Sequence, residues 1–534
     1  MKSIFINNSL TPGKFTYFPR YSYLLFIMVM LALSVFYNYN EIISLRPQSI
    51  HQWRQTDCLS FTTNYYHGNS FFQPSVHNLG EDGSGKTASD FPLIYYLVGQ
   101  LWKIFGPGEY MYRLLVIILS FTGLFALFKS AEKILKDSLW ALSIVLILFT
   151  SPTLVYYTNN FLMNVPAFAF ALGGWFFFLL FYRKEHNKYL YFSMLFFGIG
   201  GLLKTPSTIS YIAISGVFLL EWLNIYRFKE GKRIFKTPFK QFIPFLIPLV
   251  LIVPWYIYAQ SYNKEYIEGF FLIGTLPAFG ILNEDLQRIF TAVRLHLKGN
   301  YFSQGMNIFL FAAYLFVLFH FKKVNKFLLT IIILLSIGLI CFVTLFTGAL
   351  EHHDYYIINM LILVPFILLT LFLIIKKNYV RFFHSPLLRL VLLIFIIHNI
   401  GLTKNRIENR YSELYWMNEN RTKHTYVFEN LAPYLDSIGI KKDDKVLCVP
   451  DLSINITLYL IDQHGWTSFG NTLSDSLKVS DKIDMGAKYL IYYDKTDKLL
   501  ENFEPFLGAQ IGQIDHLRIF ELFPVDEKPK SKGS

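Results

Sequence analysis

The chain of 534 residues is 53% hydrophobic and 16% charged, with 54 Phe and 35 Tyr, where an ordinary soluble domain carries about 25% charged residues. This balance excludes a purely soluble chain and makes lipid part of its solvent. The formal net charge of +12 is no nucleic-acid footprint, because the excess Lys and Arg lies in short stretches between apolar runs, where membrane topology accounts for it. Cys58, Cys341 and Cys448 are far apart and form no CxxC pair, so neither a metal cluster nor a disulfide framework follows, and a Cys58–Cys448 bridge stays open.

A helix needs roughly 17–25 mostly apolar residues to cross a bilayer. Eleven stretches meet that measure, near residues 21–39, 113–129, 138–158, 164–182, 188–203, 206–224, 241–258, 306–321, 327–347, 355–375 and 385–401. The first lacks a small-residue cleavage site and reads as a retained helix, not a signal peptide. Only Lys204-Thr205-Pro206 separates the fifth from the sixth. With the N-terminus in the cytoplasm, every loop expected inside is basic. Lys133 and Lys136 lie in one, Arg183, Lys184 and Lys188 in the next, and Arg227 through Lys240 in a third. Lys322, Lys323 and Lys326 follow, then Lys376, Lys377 and Arg381. An odd number of crossings places the C-terminus outside.

Three segments are then expected outside: a long first loop (about 40–112), a medium loop (about 259–305) and the region beyond 401. Residues 90–106 are apolar and aromatic but too short to span, and read as an interfacial helix with Pro92 in its first turn. Leu286, Ile289, Phe290, Val293 and Leu297 at helical spacing predict a second surface helix, with Asn283 as its cap. Beyond residue 401 the texture changes. Lys445–Pro450 and Ala487–Tyr493 read as buried strands, and 426–437, 454–462 and 496–507 as helices. The expected architecture is a polytopic α-helical membrane protein of about eleven crossings over residues 1–401, a small soluble α/β domain over 402–525, and a disordered tail over 526–534.

The first outer loop opens with His51-Gln-Trp-Arg-Gln-Thr-Asp57. Arg54 and Asp57 are three apart and share a helix face. Such a pair can present a carboxylate base beside a cation for phosphate, or it is a solvated pair at the end of a span. Gly80-Glu-Asp-Gly-Ser-Gly-Lys86-Thr87 fits the P-loop pattern, but no apolar strand precedes it and Pro92 follows five residues after Thr87. A flexible glycine-rich loop that leaves Lys86 to meet a lipid phosphate is the better reading, and no nucleotide cofactor is expected. Glu351-His352-His353-Asp354-Tyr355-Tyr356 precedes the tenth span. Adjacent histidines face different ways on a helix, so two-ligand metal binding is not built in; one of them, His353, with a carboxylate from the first loop is the candidate for a divalent ion. An aromatic and His belt at the interface is the plainer alternative. Lys204 and Arg113 at span ends are either functional cations or snorkelling ones. The 402–525 region shows no catalytic constellation, and its Asn455-Ile-Thr sequon matters only where the host glycosylates that compartment.

Together these residues resemble the GT-C membrane glycosyltransferases, in the branch of protein O-mannosyltransferases and the aminoarabinose transferase of lipid A. The likeness runs over roughly residues 45–400 and rests on Trp53-Arg-Gln-Thr-Asp57, Ser89-Asp90-Phe-Pro-Leu-Ile-Tyr-Tyr-Leu, Glu109-Tyr-Met-Tyr-Arg113, Ser151-Pro152, Lys204-Thr-Pro206, Pro254-Trp-Tyr256 and His353-Asp-Tyr-Tyr356. Two positions depart from it. Asn164 stands where the family often has an acid, and Asp90 stands where the aminoarabinose branch has a Lys, with Lys86 four residues earlier. The resemblance implies an inverting transferase that moves a sugar from a polyprenyl-phosphate donor to a lipid, glycan or protein hydroxyl outside the cytoplasm. It implies Asp57 as the base, and Arg54, Lys86, Lys204 and Arg113 as cations for the leaving phosphate, with Arg54 first. Asp90, His352, His353 and Tyr355 are further candidates.

The expected location is the inner membrane of a bacterium. The rival from another class is a lipid-linked sugar flippase or other transporter, which calls for ionisable groups at mid-membrane and paired, interrupted helices. Here the spans are largely uncharged at their centres and polar groups collect on the outer rim. A scaffold with a partner-binding C-terminal domain is the third reading.

Overall fold

The computed structural model describes residues 17–229, 232–267, 270–271, 274–415, 418–419, 421, 425–493 and 499–524. The expected disordered tail lies outside these residues, as does the start of the helix expected from Thr496. The chain divides into two compact units. One comprises residues 1–43, 112–256 and 274–408; the other comprises 44–111, 257–273 and 409–534.

The first unit is helical. Each of the eleven apolar stretches falls on helix. Over the described residues of the chain, six helices are long and apolar enough to cross a membrane: Glu109–Leu135, Asn164–Lys184, Pro238–Glu265, Lys326–Leu345, Asp354–Asn378 and Pro386–Tyr411. The stretch 138–158 is not one straight span. It forms Ser138–Leu148 and Pro152–Thr158, bent by 86°. Pro152 has no N–H to continue the first helix, and the Ser151 side chain instead caps the second by accepting from the Leu154 N–H. Asp137 caps the first in the same way through the Leu139 and Trp140 N–H groups. The break at Lys204 is present: Asn187–Leu203 ends there, Lys204 is extended, and a short 3-10 turn leads into Ile209–Trp222.

Small residues set the helix spacing in this unit. A Cβ on Gly123 would lie 2.6 Å from the Ala169 backbone, so the Glu109–Leu135 and Asn164–Lys184 helices touch main chain to main chain there. The surface helix Asn283–Leu297 forms as expected, but Leu282 is its cap residue and Asn283 is already in the first turn, followed by Glu284 and Asp285. Those two acids complement the helix dipole without a side-chain cap.

The second unit holds a five-stranded sheet in the order β2-β1-β3-β5-β4, from β1 (Lys445–Val449), β2 (Gly465–Thr467), β3 (Ala487–Tyr493), β4 (Leu507–Ile514) and β5 (Leu517–Leu522). β1 runs parallel to β2 and β3, and β5 antiparallel to β3 and β4. Leu447, Val449, Trp466, Leu490, Tyr492, Phe506 and Phe520 form its core, and Leu79 from the loop over residues 67–92 packs into it. The loop also extends the sheet. The Leu79 N–H donates to the Gly465 carbonyl at 2.8 Å and the Gly465 N–H to the His77 carbonyl at 3.1 Å, which covers the edge of β2. The Trp466 indole N–H reaches the Gly80 carbonyl at 2.7 Å.

Candidate active site

The Gln52–Tyr66 helix follows directly on His51 and is buried along nearly its whole length. Asp57 sits in its second turn, 2% exposed. Arg54 lies one turn earlier, with Nη1 3.6 Å from Asp57 Oδ2. The solvated surface pair is therefore excluded. The other Arg54 terminal nitrogen, Nη2, donates to Asp90 Oδ2 and Ser89 Oγ, each at 2.8 Å. The guanidinium lies over the Phe271 ring, 5.2 Å from its centroid, so one arginine joins both first-loop motifs.

Asp57 has a further partner that no local spacing could reveal. Asn455, fully buried just before the Ile456–Ile461 helix, donates from Nδ2 to Asp57 Oδ1 at 2.8 Å. Its Oδ1 accepts from the Asn78 backbone N–H at 3.0 Å and from Ser60 Oγ at 3.5 Å. The Asn455 of the sequon is thus buried, and the 402–525 region contributes a contact to Asp57. The distance in sequence, 398 residues, is why the pairing was illegible. Burial raises the Asp57 carboxyl to about 6, against the lowering effects of Arg54 and Asn455, while Asp451 nearby adds to the rise.

Lys86 belongs to the same unit. Gly80–Thr87 does not form the strand–loop–helix of a phosphate-binding P-loop. The chain from Pro74 to Thr87 folds back on itself through Val76 N–H to Gly85 O at 2.9 Å, Gly85 N–H to Leu79 O at 3.0 Å and Thr87 N–H to Pro74 O at 3.1 Å. Gly85 has φ +67°, and a Cβ there would meet the Val76 carbonyl oxygen at 2.7 Å. Lys86 is half-buried, its Nζ 3.2 Å from the Tyr266 hydroxyl and 4.5 Å from the centre of that ring. The helix expected over residues 90–106 is observed as Leu93–Phe105, with Pro92 as its cap residue. Glu109 accepts from Arg46 at 2.8 Å and from the Tyr459 hydroxyl at 3.1 Å. Cys58 and Cys448 are both buried and free, so no disulfide joins them.

The remaining candidates lie in the first unit. Arg113 is fully buried, donates to the Ile42 carbonyl at 2.7 Å and lies over the Phe161 ring. Lys204 lies 5.9 Å from the centre of the Tyr356 ring. Asp354 is buried and accepts from the Tyr157 hydroxyl at 2.6 Å. The Tyr355 carbonyl accepts from Asn164 at 3.2 Å. His353 packs against the Tyr355 and Tyr356 rings, while His352 points to the surface beside Glu351.

Residues 88–258 match the family model of dolichyl-phosphate-mannose-protein mannosyltransferases. No curated protein matches the chain by sequence. Among solved structures, ArnT from Cupriavidus metallidurans in the apo state superposes with a TM-score of 0.61 at 11% identity, over 95% of this chain and 99% of that one. The chain has the GT-C glycosyltransferase fold. The same ArnT bound to undecaprenyl phosphate gives a TM-score of 0.60 at 11% identity, covering 95% and 99%. The Archaeoglobus fulgidus oligosaccharyltransferase, solved in complex with Zn and sulfate, gives 0.54 at 12% identity, covering 90% of this chain and 71% of its own. The mycobacterial arabinofuranosyltransferase AftD also gives 0.54 at 12% identity, covering 93% and 40%.

The family match and the GT-C fold indicate a glycosyltransferase and an integral membrane protein. The metal expected at His353 does not fit the residues present: among the described residues no group of three or more His, Cys, Asp and Glu side chains is placed to hold an ion. His353 is half-buried against the Tyr355 and Tyr356 rings, while its neighbour His352 is exposed beside Glu351.

Proposed function

We propose that this protein transfers a sugar from a polyprenyl-phosphate donor to an acceptor hydroxyl at the extracytoplasmic face of a bacterial inner membrane, with inversion at the anomeric carbon. The observation that carries the reading is Asp57: a buried carboxylate at the foot of the first outer loop, held beside Arg54 in a chain of this fold. In the step, the acceptor oxygen forms its bond to C1 of the sugar and gives its proton to Asp57. The bond from C1 to the phosphate oxygen breaks, and its electron pair leaves with the polyprenyl phosphate. Charge develops on that phosphate, so preorganised cations stabilise the transition state. Arg54 is proposed to meet it first, with Lys86 of the same unit as a further cation, while Arg113 is a structural tie to the Ile42 carbonyl. The ArnT structure with undecaprenyl phosphate supports the donor class.

The basic loops between apolar stretches support eleven crossings, a cytoplasmic N-terminus and an outer C-terminal domain. The discriminating experiment reconstitutes the purified protein in liposomes with a labelled polyprenyl-phosphate sugar and a membrane extract as acceptor. A transferase releases free polyprenyl phosphate in step with labelled product. Movement of label across the bilayer with the sugar–phosphate bond intact would show a transporter instead.

A further inference from the structure

The Asp57 carboxylate is held by two different elements, and the second is the C-terminal domain. The Asn455 amide has a defined orientation. One of its polar atoms faces the Asn78 backbone N–H at 3.0 Å and the Ser60 hydroxyl at 3.5 Å, so that atom must be the acceptor oxygen. The atom facing Asp57 is then the NH2, 2.8 Å from Oδ1. Asn78 is itself fixed, donating from Nδ2 to the Ile454 carbonyl at 3.0 Å and Thr467 Oγ1 at 3.2 Å, and accepting on Oδ1 from the Gly80 N–H at 3.1 Å. A rigid amide thus occupies Oδ1, while Oδ2 faces the Arg54 guanidinium at the looser distance of 3.6 Å.

We infer that Asn455 is a positioning residue for the transfer reaction, through which the C-terminal domain fixes Asp57 Oδ1, keeps the carboxylate ionised and leaves Oδ2 to take the acceptor proton. The inference rests on Asp57 being the base. A hydrogen bond from a neutral amide favours the charged form of a carboxylate. The other groups facing Asp57 are Arg54 on its own helix, which also favours that form, and Asp451 of the C-terminal domain, which opposes it. Cys58 is next in the chain, and Asp90 of the first loop acts on the same Arg54.

The test measures transfer against pH for wild type, Asn455→Ala and the isosteric Asn455→Asp, each normalised to folded protein. Loss of the amide should move the acid inflection of the rate upward by about one pH unit. Asn455→Asp should move it further, because two adjoining carboxyls share a proton. A uniform fall in rate with an unmoved inflection, or a wild-type profile in both variants, overturns the inference and leaves Asn455 a structural tie. If Asn455→Ala does not fold, the isosteric variant decides alone. Transfer retained by Asp57→Asn would overturn the underlying assignment of the base instead, so the two failures are distinguishable.

Discussion

A carboxylate makes a useful base only if it is ionised at working pH and yet basic enough to accept a proton. Asp57 meets both conditions because opposing effects act on it. Burial lifts it to about 6, and the Arg54 charge and Asn455 amide prevent a larger rise. The sign of the pH dependence follows. With Asp57 as the proposed base, active when deprotonated, transfer should hold level above about pH 7 and fall as pH drops through about 6, tenfold per unit well below it. An acid limb near pH 4, where an exposed aspartate titrates, would mean that the ionising group is not in this environment. The pairing of Arg54 with Asp57 was legible because helical periodicity alone puts residues three apart on one face. Its third and fourth members were not equally so. Asp90 stood in a recognisable motif, whereas Asn455 comes from another region of the chain and carries no local signature.

At the scale of elements, the apolar periods gave the helices, and the misjudged points have particular causes. Span 138–158 breaks because Ser151-Pro152 ends one helix and caps the next, a signal present in the sequence but outweighed by continuous apolarity. Strands β1 and β3 were legible as buried apolar runs. β4 was not, because its eight residues include Gly508, Gln510, Gly512 and Gln513 and none of them is fully buried. β2 is three residues long, too short for any periodic signal. The packing of the Leu93–Phe105 helix on the Gln52–Tyr66 helix depends on Gly99, where an added Cβ would lie 2.9 Å from the Tyr65 Cβ and 3.1 Å from the Thr62 carbonyl oxygen. Gly99→Val should therefore destabilise the fold by about 1–3 kcal/mol and displace the helix that carries Asp57. A lowered thermal midpoint together with a transfer rate reduced tenfold or more is the expected result. An unchanged rate at a lowered midpoint would show that helix placement does not control the site.

At the scale of the whole molecule, the candidate site draws on residues far apart in sequence. Residues 44–111, 257–273 and 409 onward form one compact unit, and Asp57, Arg54, Asp90, Lys86 and Asn455 all belong to it. Sequence reading placed the boundary at residue 401 and treated the outer loop as part of the membrane region, because linear texture changes there. Three-dimensional proximity follows the β2 edge, where residues 77–79 add to the sheet and Leu79 enters its core. Asp57 lies buried within that union, its carboxylate between Arg54 of its own helix and Asn455 of the later region. The membrane helices of the other unit answer a different requirement, which is to satisfy every backbone group within lipid.

The measurement that reaches the central claim most directly is sugar transfer from a labelled polyprenyl-phosphate donor to membrane acceptor, comparing wild type with Asp57→Asn at equal expression. The substitution keeps the shape and polarity of the side chain but cannot take the proton. Transfer by wild type and a loss of at least about a hundredfold in the variant is the predicted result. Equal transfer by both proteins would contradict the account.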